Sequence, residues 1–146
     1  MTDKKRAPWL SIVLAGLLAF ILSLVISTAT VFGYAMTLAI KAQGQPNPDQ
    51  ISAFANRYMP LLGGVVLLLL VLIAARWVVR RAKSIRPLYG VLVGVVATLP
   101  TVMFIRRADI RELISLILPP FAGWLGGLWG ARTVKNDVPS RIAPAN

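Results

Sequence analysis

Four apolar stretches, 9–40, 60–79, 88–105 and 113–131, take up most of the chain and hold a single charged residue among them, Arg76. Hydrocarbon offers a peptide group no hydrogen-bond partner, so apolar runs of about 18–25 residues cross a bilayer as helices that satisfy their own backbone. The expected fold is therefore an all-α integral membrane protein, an up-down bundle of four transmembrane helices with spans near 9–40, 60–79, 88–105 and 110–131.

What remains outside the spans is too short for a soluble domain. The largest pieces, 41–59 and 132–146, cannot bury a core of their own. Charged residues make up 14% of the chain, against about a quarter in globular proteins, and the mean hydropathy is +0.72. Residues 1–8 form a short N-terminal segment, and the end of 132–146, with Pro139 and Pro144, is expected to be disordered. Cysteine and histidine are both missing, which removes disulfides, thiolate chemistry and imidazole ligation of a metal. No cofactor or metal site is expected. The net charge of +11 flanks the spans and forms no face that tracks a phosphate backbone, so it points to membrane orientation and away from nucleic acid.

Lys4, Lys5 and Arg6 ahead of an apolar run, with Ser27, Thr28 and Ala29 further on, raise the question of a cleaved signal peptide. The apolar run from Leu10 to Ile26 already exceeds the 7–15 residues of a typical signal core and continues to Ile40, which favours a retained signal anchor. Placing alternate connections on opposite sides puts eleven Lys and Arg with both termini and the second loop, against five (Lys41, Arg57, Arg106, Arg107, Arg111) on the other side. The positive-inside rule then expects a multi-pass protein of the plasma (inner) membrane with both termini cytoplasmic. Trp9, Trp77, Tyr89 and Trp129 fall at the cytoplasmic span ends, and Tyr34 and Tyr58 near the outer ones, as an aromatic belt requires.

The first span is longer than a bilayer needs: its residues 9–40 would reach about 48 Å as a helix against a hydrocarbon core of about 30 Å. Lys41 to Pro46 supplies its stop. Asn47 then reads as an N-cap, with Pro48 at the first helical position and Gln50 placed to close a capping box. Ile51, Phe54, Ala55, Tyr58 and Met59 follow at helical spacing, which predicts a short amphipathic helix in the first outer loop, or else a lead-in to the second span, with Pro60 at the junction. The basic turn 80–87 makes spans two and three antiparallel neighbours, and Asp109 with Glu112 caps the fourth span near Ile110.

Small residues at four-residue spacing let helix backbones approach closely in a membrane. They recur at Gly90, Gly94 and Thr98, at Gly123, Gly127 and Ala131, at Gly126 and Gly130, and in the first span at Ala15, Ala19, Ser23 and Ser27. Packing within one bundle explains such stripes, yet two small faces on the fourth span suggest a further helix partner. Pro100, Pro119 and Pro120 remove backbone hydrogen bonds within spans three and four, where they either kink the helices or open the backbone to a ligand. Arg76, Arg80, Arg81, Lys83 and Arg86 form a basic cluster that either marks topology or attracts anionic lipid.

No span carries an ionisable residue at its centre, as coupled carriers usually do, and no acid, histidine or lysine lies at depth to activate a serine or threonine. These observations lead to the expectation of a non-enzymatic membrane protein that acts by helix association, as an accessory or assembly subunit of a membrane complex or as a homo-oligomer. Its partners would be the bilayer and another membrane protein or itself. The alternative is a small transporter or channel that uses the proline-broken third and fourth helices.

Overall fold

The computed structural model describes residues 9–45, 47–82, 86–102 and 110–136, the side chains of 110–112, 135 and 136 apart. Several expectations lie outside these residues: the basic run Lys4, Lys5 and Arg6, Lys83, the turn carrying Arg106, Arg107 and Asp109, the side chains of Arg111 and Glu112, and the tail from Asp137. The described chain is all helical, with α1 at Trp9–Ala42, α2 at Pro48–Arg81, α3 at Leu88–Val102 and α4 at Ile110–Asn136. Three of the four, α1, α2 and the Leu113–Val134 part of α4, are long and apolar enough to cross a membrane, while α3 is a shorter apolar helix. Residues 103–105, expected in the third span, are not among those described.

Local chemistry sets the ends of the first two helices. Gln43 closes α1 in a left-handed conformation, φ 50°, with its N–H donating to the Ile40 carbonyl and the Gly44 N–H to the Ala39 carbonyl, each at 3.4 Å. This pair of bonds is a Schellman closure with glutamine at the position that usually takes glycine. At the start of α2 the Asn47 side chain accepts from the Asp49 N–H at 2.9 Å and Pro48 occupies the first turn, as the sequence predicts.

The expectation of a separate amphipathic helix before the second span needs correction, because α2 runs unbroken from Pro48 to Arg81 with Pro60 inside it. Proline at this point costs the bond that an N–H would make to the Asn56 carbonyl, four residues back. Against that loss, Ile51, Phe54, Ala55 and Met59 are all half-buried, and Phe54 stacks on Tyr34 of α1 with ring centroids 3.9 Å apart and planes 13° from parallel. The stripe read as a surface-lying face instead joins the first two helices into a long hairpin.

Contacts between helices define the arrangement. Ser23 of α1 meets Gly63 of α2 and Tyr34 meets Phe54, so rising numbers on one helix pair with falling numbers on the other. The same reversal relates Gly90 and Gly94 of α3 to Gly123 and Pro119 of α4. Helices α2 and α3 touch each other and both of the remaining helices, whereas α1 and α4 make no close approach among the described residues. The section is thus a rhombus with α2 and α3 across its short diagonal. Its centre is filled by Val71, Ala75, Val93 and Ala97, all fully buried, with Ile12 and Ala19 entering from α1 and Ala122 from α4. Small side chains suit this position because they let backbones approach closely, and the many short-range contacts that result hold the helices together.

Candidate functional site

Every glycine singled out in the third and fourth spans lies at a contact between helices of this chain. A methyl group built on Gly90 would run into the Gly123 carbonyl, and one built on Gly123 into the Gly90 carbonyl. Gly94 backs onto the Pro119 carbonyl and Pro120 Cα, and a methyl on Gly127 would stand 2.7 Å from the Pro87 carbonyl oxygen. The other small face of α4 meets α2, with Gly126 against the Leu72 carbonyl and a methyl on Gly130 3.0 Å from the Arg76 carbonyl oxygen. The two small faces of α4 therefore match its two neighbours, α3 and α2. Their number alone asks for no helix from outside the chain.

Within α1, Ala19, Ser23 and Ser27 are buried and Ala15 half-buried, along the stripe read from the sequence. Gly16, off that stripe, is buried as well and faces α3: a methyl there would fall 2.8 Å from Val96 Cβ. Ser23 donates to the Gly63 carbonyl at 3.2 Å, joining α1 to α2. Other hydroxyls return to their own helices, Thr30 to Ile26, Thr37 to Gly33 and Thr98 to Val95.

Helix α4 continues through Pro119 and Pro120, and α3 reaches two residues past Pro100. Pro119 is buried and packed on Gly94, while Pro100 and Pro120 are half-buried. Gly94 thus backs onto the proline pair, and the described centre of the bundle is filled mainly by Val and Ala side chains.

Two regions stand apart from this packing. One is the basic end of α2. The Arg76 guanidinium lies 3.7 Å over the Trp129 ring of α4, and Arg81 lies 5.1 Å over Trp77. Trp77, Arg80 and Arg81 line an open hollow of about 480 Å³. The sequence assigns both tryptophans to an aromatic belt, and nothing local in it reveals that one sits under Arg76, 53 positions away. The Trp77 and Arg81 pair, four residues apart on one helix, was open to discovery from spacing.

The other region is the far part of the α1–α2 hairpin. With Tyr34 opposite Phe54, the α1 residues from about Val31 onward lie beyond the level of Arg57. There Phe32, Met36 and Ile40, each four residues from the next, are 70%, 59% and 70% exposed and form one apolar stripe on the outside of α1. The α2 segment beside it is largely polar where it is exposed, with Asp49, Gln50, Ser52, Asn56 and Arg57.

Compared with family models, curated proteins and solved structures, the chain matches none. Among the described residues no group of His, Cys, Asp and Glu is arranged to hold a metal.

Proposed function

We propose that this chain is a non-enzymatic, multi-pass protein of the plasma (inner) membrane that works by helix association, as an accessory or assembly subunit docking through the far part of its α1–α2 hairpin. Its four helices would form an up-down transmembrane bundle with both termini in the cytoplasm. The observation that carries the reading is where charge brackets α2. Arg57 and Arg76 are nineteen residues apart with no charge between them, a rise of about 28 Å, which is one hydrocarbon thickness.

A bilayer seated between these arginines covers the bundle of four helices but ends near Val31 on α1. The last turns of α1 and the first of α2 then project about 16 Å beyond the hydrocarbon. Phe32, Met36 and Ile40 would be left in headgroups or water. Burying each against a partner is worth about 1.5–3 kcal/mol, so the stripe is suited to an apolar helix face of another membrane protein. The second reading, a small transporter or channel, rests on Pro100, Pro119 and Pro120, and of these Pro119 and Pro120 back onto Gly94.

Gentle extraction from native membranes followed by native mass spectrometry tests the proposal. The expected result is stoichiometric recovery with a larger membrane protein, lost on substituting Phe32, Met36 and Ile40 together by serine while helicity and membrane extraction behaviour stay unchanged. Recovery as a monomer from the mildest detergents would overturn it. A homo-oligomer sensitive to the same triple change would assign the stripe to a second copy instead.

A further inference from the structure

We infer that the basic end of α2 is a binding site for one anionic phospholipid, with the phosphate held by Arg76 and Arg80 and an acyl chain lying along Trp77, Ile73, Leu69 and Val65. The inference rests on the membrane placement proposed above, and is independent of the docking stripe. Arg76 supplies the first argument. Its Nε is buried without a hydrogen-bond partner, and the guanidinium is held by the face of Trp129. A cation over an aromatic ring is fixed in place but keeps its in-plane donors for an acceptor at its edge. Asp49, at the opposite end of α2, is the one acidic side chain described, so no described carboxylate serves as that acceptor.

Helical geometry supplies the second argument. At about 100° per residue, Arg76, Arg80, Trp77 and Arg81 follow one another around an arc of roughly 140° on α2. The hollow lined by Trp77, Arg80 and Arg81 lies within that arc. Arg80 and Arg81 line this hollow and Arg76 stands next to Arg80 on the arc, an arrangement that suits a phosphodiester, because a guanidinium presents a planar fork of donors.

A third observation separates a lipid from free phosphate. Trp77, Ile73, Leu69 and Val65 step back along α2 by four residues at a time, and all four are exposed. They make a straight apolar track that begins beside the hollow and runs about 18 Å toward the bundle's other end. Half a hydrocarbon core is about 15 Å, so the track accommodates one acyl chain from a headgroup seated among the arginines. Inorganic phosphate has no use for it.

The test uses the full chain, purified in detergent and stripped of lipid, with phosphatidylglycerol, phosphatidylcholine and inorganic phosphate added separately and retention read by native mass spectrometry. One phosphatidylglycerol is expected to stay bound at voltages that strip phosphatidylcholine. Arg76→Gln should weaken that retention about fivefold, the effect of one charge at a membrane surface. Arg76→Lys, which keeps the charge and the topology signal but loses the fork, should also weaken it. Arg141→Gln removes one charge elsewhere and should leave retention unchanged. Equal loss in Arg76→Gln and Arg141→Gln, equal retention of the two lipids, or displacement of phosphatidylglycerol by millimolar phosphate would each overturn the proposal. Liposome flotation of the same samples keeps the two readings apart. A chain that floats but shows no lipid preference sinks this site alone, whereas one that fails to float sinks the membrane placement.

Discussion

The two ends of the α1–α2 pair are built differently. Toward the basic end the two helices sit in a bundle of four whose contacts run backbone to backbone, through Gly16, Gly90, Gly94, Gly123, Gly126 and Gly127. Toward the hairpin end aromatic rings join them: Tyr34 stacks on Phe54, and Phe54 lies 5.0 Å from Tyr58. Gly33 and Gly64 of this pair have open space where a methyl would stand. Close packing uses up the glycine faces that make it, while larger apolar side chains such as Leu14, Leu69, Leu99 and Ile117 stay exposed around the bundle. The hairpin end, loosely covered, keeps an apolar stripe exposed.

The contrast is most exposed to a bulky change at the tight end. Gly90→Leu places a side chain against the Gly123 backbone, which cannot move aside as a flexible side chain would, and should cost about 3 kcal/mol or more in a detergent unfolding titration. A stable Gly90→Leu protein would break the comparison outright. At the other end, Phe54→Ala should cost about 1–1.5 kcal/mol and act locally. Hydrogen exchange of residues 48–56 is expected to rise with little change in overall unfolding, and a global loss would mean that the hairpin end is as integral as the core.

Smaller changes sharpen the picture. Gln43→Gly relieves a left-handed glutamine and should stabilise the hairpin turn by about 1 kcal/mol, seen as slower exchange at the Gly44 amide. Ser23→Ala removes the bond to the Gly63 carbonyl, where the tight region gives way to the loose one, and should cost about 0.5 kcal/mol, the lower end of what one such bond contributes. A cost of several kcal/mol would instead make this bond a main tie between α1 and α2.

Much of the secondary structure was legible because its causes are local. The Asn47 and Pro48 start, the stop after Ile40 and the four apolar stretches depend on residues a few positions apart. The contact glycines were legible as a class, since four-residue spacing marks one helix face. Which neighbour each face meets was not, and so the two faces of α4 suggested an outside partner when α2 and α3 occupy both. Pro60 misled for a related reason: the loss of one backbone bond is a local signal of a break, and the packing that outweighs it comes from Tyr34 on another helix.

The sequence by itself determined that this chain makes apolar helices with basic flanks, because hydropathy, capping and charge act within a turn or two of each residue. Only the tertiary structure decided that α2 passes through Pro60, that α1 and α4 stay apart across the α2–α3 diagonal, and that Arg76 rests on Trp129. Those outcomes depend on how helices rotate about their axes and slide past one another. That choice rests on the summed fit of many weak contacts between residues far apart in the chain, and periodicity along one helix does not record it.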